Sequence, residues 1–156
     1  MKKVILFLIP ILFISTSAFA NTKGTRVLNE VPPKVTLSYA EIFDPVCTVK
    51  TAYEINPVWV EELKEKLPQW RALWDQEGNM LLKTTIKLIS KPFDQKTFQA
   101  SLSLCSFPSM SAPLIINSRY ALQSFTDHPI NNYVLINTIY HELLHHYIDS
   151  SLPQNT

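Results

Sequence analysis

The sequence predicts an α+β fold: a small, mostly antiparallel sheet packed on an N-terminal helix and on a buried C-terminal helix. Three observations carry this expectation. Apolar residues recur at three- and four-residue steps between Asn56 and Gly78. They alternate singly with polar residues in two stretches between Met80 and Leu104. The helical spacing then returns after Asn131. A helix, a group of strands and a second helix in succession is the α+β order.

Composition narrows the function classes. At 156 residues the chain suits one domain with one core. Its two glycines, Gly24 and Gly78, stand far apart, which excludes a dinucleotide-binding turn and a phosphate-binding loop. A formal charge of +1 with no Lys/Arg cluster gives no footprint for nucleic acid. With 46% hydrophobic and 17% charged residues, the chain has material for a core and lacks the composition of a disordered one.

Residues 1–20 have the layout of a secretory signal peptide, with an uncleaved anchor as the alternative. Lys2-Lys3 precedes an apolar run from Val4 to Ile14, and Ala18-Phe19-Ala20 supplies a small-x-small cleavage site. The run is too short to span a bilayer. Cleavage removes Lys2 and Lys3, so the formal charge of +1 becomes negative. The mature chain is therefore expected to be exported, periplasmic or secreted, with no membrane span remaining. Export favours a disulfide between Cys47 and Cys105 over a metal site or two free thiols, because no C-x-x-C spacing exists. Such a bridge closes a loop of roughly sixty residues and stabilises by about 4 kcal/mol on the chain-entropy model.

The elements follow in order. Residues 21–36, with Pro32-Pro33, read as a loose N-terminal arm, and 37–156 as a single domain. Leu37 to Phe43 is expected to form a short helix before Asp44-Pro45. Asn56-Pro57 is a cap followed by proline at the first helical position, with Glu61 and Glu62 early in the helix where negative charge suits the dipole. Val60, Leu63, Leu67, Trp70 and Trp74 mark its inner face. Pro68 is expected to kink or split this helix, and Gly78-Asn79 to end it. Met80, Leu82, Thr84, Ile86 and Leu88 then describe a strand, and Phe98, Ala100, Leu102 and Leu104 a second, joined by Lys91 to Asp94. Leu114 to Ile116 suits a short edge strand after Pro108 and Pro113. Residues 117–130 form a polar connection, and the last helix starts at Asn131 or Asn132.

That helix concentrates the chemistry. Three of the chain's four histidines, His141, His145 and His146, fall within it. His141-Glu142-x-x-His145 is H-E-x-x-H, and histidines four apart lie on one face of a helix, so both imidazoles can reach one Zn²⁺. Glu142 points to the side of the pair, placed to take a proton from a metal-bound water. At 100° per residue, His145 falls about 40° from His141, Thr138 about 60° and Glu142 about 100°. Tyr133, Ile136, Tyr140, Leu144 and Tyr147 form one apolar flank, and Leu135 and Ile139 lie on the other. A helix apolar on both flanks is normally buried, and a metal would satisfy polar groups buried with it. His146 points elsewhere and is not counted as a ligand. The competing expectation is a polar helix face without metal.

With its neighbours, the motif resembles that of the zincin metallopeptidases. Thr138 stands three residues before the first histidine, Ile139, Leu143, Leu144 and His146 are uncharged, and Tyr147 follows two after the second. The resemblance implies a zinc peptidase acting on a peptide or protein substrate, a small sheet before the active-site helix, and Leu114 to Asn117 as the edge that takes extended peptide. His141 and His145 are then the ligands and Glu142 the catalytic base.

The third zinc ligand is the open question. The metzincin continuation requires a glycine and a histidine where the chain has Ile148 and Ser151. The gluzincin branch requires a downstream Glu, and none follows His145. Asp149 lies about 12 Å along the axis from His141 at 1.5 Å per residue, so it is expected to orient His145 rather than share its metal. Asp127 and His128 have no spacing in their favour. The chain is therefore expected to be gluzincin-like but incomplete at its C-terminus, with an open site and weakly held metal. The alternative is a non-catalytic or degenerate zincin-like domain that binds or supports a partner.

Overall fold

The computed structural model describes residues 31–51 and 54–151. The expected signal peptide and most of the expected arm lie outside the described residues. The first element is a strand, β1 (Lys34–Tyr39), so the arm ends before Lys34 and the helix expected from Leu37 is absent. The run Lys-Val-Thr-Leu-Ser-Tyr has period two, and it buries Val35 and Leu37 on one face while its backbone pairs with a neighbouring strand. A single 3₁₀ turn, Glu41–Phe43, leads into α1 (Asp44–Thr51). Asp44-Pro45 therefore opens a helix instead of closing one, at a position where proline's missing N–H has no intrahelical partner to lose.

Helix α2 (Pro57–Leu73) begins as its cap predicts, with the Asn56 side chain accepting from the Val58 N–H at 3.0 Å. Pro68 sits inside it on the exposed side, and the helix continues past it. Gly78 does not end the helical stretch either. A π-helical turn (Trp74–Gly78) carries the chain directly into α3 (Asn79–Ile89). Glycine is needed here because a Cβ at Gly78 would come within 2.5 Å of the Trp74 indole.

The strand expected over 80–88 is therefore α3. Both periods fit its apolar residues. Leu82 and Ile86, four apart, are 0% and 3% exposed, whereas Met80 and Leu88, which a strand would have buried with them, are 54% and 78% exposed. The β-branched Thr84 and Thr85 are accommodated by hydroxyl bonds to the Met80 and Leu81 carbonyls. Ser90, at φ 57°, closes the helix in the left-handed conformation.

β2 (Thr97–Ser103) and β3 (Ile115–Asn117) occupy the expected positions, with β3 at an edge. The order is β1-β2-β3 and both pairings are parallel, with Val35 opposite Phe98 and Leu102 opposite Ile116. The antiparallel expectation is thus corrected. Alternation reveals that one face is buried; it carries no information about strand direction. Direction follows from the connection, and the helical stretch from α1 to α3 between β1 and β2 returns the chain to the starting end of the sheet. The outer face stays polar, with Lys34, Thr36, Thr97 and Gln99 exposed and Gln99 donating to Ser38 Oγ at 2.6 Å.

Helix α4 (Asn132–Ser151) covers the core. Asn131 accepts from the Tyr133 N–H at 2.8 Å, which caps the start. Leu135, Ile136, Ile139, Leu143 and Tyr147 are buried with Trp70, Trp74, Leu102 and Ile116 in one cluster. Each such side chain contributes about 1.5–3 kcal/mol on burial. Cys47 on α1 is joined to Cys105 just after β2, with the Cα atoms 5.3 Å apart, the pairing expected of the chain's two cysteines. Among the described residues no helix is long and apolar enough to cross a membrane.

Candidate metal centre

Three hydrogen bonds set the rotation of α4. The Trp70 indole donates to Asn132 Oδ1 at 2.8 Å, Tyr140 and Thr85 share a hydroxyl bond of 2.7 Å, and Tyr147 donates to the Lys91 carbonyl at 2.8 Å. With the apolar side turned inward, His141 and His145 face solvent and are exposed. The expectation that this helix is buried on every side is corrected. Tyr133, assigned to a packed stripe, is 55% exposed. The helix buries one broad stripe, so solvating water reaches the imidazoles and no burial penalty calls for a metal.

What the helix does provide is convergence. The Nε2 atoms of His141 and His145 stand 2.9 Å apart, with the rings at 80° to each other and their centroids 4.6 Å apart. Two nitrogens on one tetrahedral Zn²⁺ at 2.0–2.1 Å are separated by roughly 3.3 Å. A few tenths of an ångström of side-chain rotation brings the pair to that spacing, so these two residues fit the metal. Among the described residues, however, no group of three or more His, Cys, Asp or Glu side chains is placed to hold an ion. The fit therefore extends to two donors.

Glu142 is half-buried beside the pair, and no hydrogen bond or ion pair engages its carboxylate among the described residues. His146 points away, as its angle predicted. Its ring meets Phe98 edge-on at 5.0 Å, and its Nε2 lies 3.4 Å from the Asp94 carboxylate. Asp149 is exposed, and neither a hydrogen bond nor an ion pair joins it to His145. Asp127 and His128 are exposed in the loop before α4.

The edge strand is not free for a peptide. Ile115 exchanges both backbone bonds with Met110, at 2.9 and 3.0 Å, and the Asn117 N–H donates to Ser109 Oγ at 3.0 Å. The chain's own loop thus takes up the outer edge of β3, which removes the expected docking edge at Leu114 to Asn117.

Sequence reasoning missed a clamp between α2 and the loop before α4. Glu62, read only as a favourable charge near a helix start, accepts from the backbone N–H groups of Gln123 and Ser124 at 2.8 and 2.7 Å. Burial pushes its carboxyl pKa up, but those bonds, the Ser124 side chain and Lys66 at 3.0 Å outweigh it and bring the value down to about 2. A second missed pair is Tyr39, whose hydroxyl donates to Asp44. Burial raises both groups above their ordinary values, and the neighbouring acid charge adds to this. Only residues sixty positions apart in sequence could have signalled the Glu62 clamp. Comparison with protein-family models, curated proteins and solved structures found no match for this chain.

Proposed function

We propose that the chain is an exported zinc-dependent metallopeptidase-like domain that hydrolyses peptide bonds, with His141 and His145 holding the metal and Glu142 as the catalytic base. One observation carries the reading: two imidazole nitrogens converge at 2.9 Å beside a carboxylate that has no competing partner. A bound Zn²⁺ supplies Lewis-acid polarisation and an acidified water at such a site. Glu142 accepts the proton of the attacking water and returns it to the leaving amine. The exposed position of the pair leaves the approach open to a peptide. The signal-peptide layout of residues 1–20 supports export, to the periplasm or beyond the cell.

A second reading is favoured by the donor count. With two donors among the described residues, the site also suits a non-catalytic or degenerate module that binds metal without hydrolysis. Glu142→Gln separates the two. Under the peptidase reading the variant keeps zinc and loses zinc-dependent cleavage of a casein substrate. If wild-type protein loaded with zinc shows no cleavage above the variant, the peptidase reading fails and the binding module stands.

A further inference from the structure

The loop clamped by Glu62 forms one wall of a cavity far from the histidine pair in sequence. Trp59 Nε1 donates to the Ser124 carbonyl at 3.1 Å and Lys66 Nζ to the Ala121 carbonyl at 2.8 Å, adding to the two Glu62 bonds. Phe125 is thereby seated edge-on against Trp59 at 5.1 Å and against Tyr120 at 5.2 Å. The Arg119 guanidinium lies over the Tyr120 and Phe125 rings at 4.8 and 4.9 Å. The Cys47–Cys105 disulfide and Leu104 also wall the cavity. The enclosed volume is about 300 Å³, at the small end of the range for ligand sites.

The charges on its walls are unbalanced in depth. Arg119 is half-buried, its Nη2 donates to the Tyr120 hydroxyl at 2.8 Å, and its buried Nε has no acceptor. No carboxylate lies within ion-pair distance of it among the described residues. A guanidinium held this way retains donors for an anion. Glu54, also on the wall, is exposed and penalises a doubly charged anion such as phosphate.

We propose that this cavity binds a small carboxylate with an apolar, ring-sized body. The carboxylate meets Arg119, and the body enters between Ile55, Trp59 and Leu104. Both walls are held in place before any ligand arrives, one by the Glu62 clamp and one by the disulfide, so little ordering opposes binding.

Calorimetric titration of the oxidised chain with 3-phenylpropionate, against the neutral 3-phenylpropanamide of matching shape, tests this. The acid is expected to bind at least ~10-fold tighter, the loss associated with a charged hydrogen bond. Arg119→Gln should bring the two probes level, and Ile55→Trp, which fills the cavity, should remove both while unfolding cooperatively. If Arg119→Gln does not fold, Arg119→Lys must still prefer the acid. Equal binding of acid and amide to the wild type overturns the proposal. So does the absence of heat and of amide shifts in residues 119–125 at roughly 10 mM acid, where a millimolar site saturates. Chelation of metal should leave the result unchanged, which separates it from the zinc reading.

Discussion

The hydroxyls of Thr85 on α3 and Tyr140 on α4 meet at 2.7 Å, one residue before His141. Thr85 is buried and also donates to the Leu81 carbonyl at 3.0 Å, so with one proton it can serve only one of these as donor. Tyr140 must then be the donor to Thr85 whenever Thr85 bonds to Leu81. This contact ties the helix that carries His141 and His145 to the helix that sequence periodicity presented as a strand.

Thr85→Val should cost about 1 kcal/mol, because it leaves the Tyr140 hydroxyl without its protein acceptor. Tyr140→Phe should cost less, since Thr85 keeps the Leu81 carbonyl. Urea unfolding of both variants checks the order, and a larger loss for Tyr140→Phe would contradict the donor assignment.

His141→Ala and His145→Ala should each abolish zinc binding, while His146→Ala should leave it intact. His146 is turned toward Phe98 and Asp94 and takes no part in the convergence of the other two. The visible absorption of a Co²⁺-loaded protein reports this without relying on activity. A loss of the signal in His146→Ala would mean that the ligand pair is misassigned.

Glu62 makes stability depend on pH in the acid range. Its native pKa of about 2 lies below the ordinary value of a glutamate, so the folded state favours the charged form. That contribution is fully present above the unfolded pKa of about 4.3 and is lost as pH falls toward 2. Hydrogen bonds to a charged group are worth about 1.5–3 kcal/mol, so Glu62→Gln should destabilise by a value of that order at neutral pH and much less at pH 2. Thermal unfolding of both proteins across this range should show the gap closing.

Gly78→Ala sets two effects against each other. Alanine gains about 1 kcal/mol of helix propensity. Its Cβ would also lie 2.5 Å from the indole of Trp74, which is 1% exposed and has no room to yield. Overpacking of this kind costs about 1–3 kcal/mol, so the variant is expected to be net destabilised. A rise in melting temperature would show that the π turn can relax.

Some of the site was legible because its geometry is local. His141 and His145 converge through helical spacing alone, and Asn56-Pro57 and Asn131 mark helix starts through bonds made within two residues. The strand positions of β2 and β3 were readable in the same way, each from its own period. Residues 80–88 were not. Their apolar positions satisfy both periods, and burial of Leu82 and Ile86 on one helical face decides between them. The Glu62 clamp was equally hidden, since the two N–H groups it accepts from belong to a loop brought near only by folding.

The sequence by itself determined the H-E-x-x-H juxtaposition, the cysteine pairing, the start of α4 and the positions of β2 and β3 to within a residue, because each depends on neighbours within a turn or on a single available partner. Only the tertiary structure decided that the sheet is parallel, that its free edge is taken by Met110 and Ser109, and that the histidine pair faces solvent. Those outcomes depend on which surfaces are available to cover one another. Local periodicity states how much apolar surface an element must bury; the packed neighbours settle which way its remaining face looks.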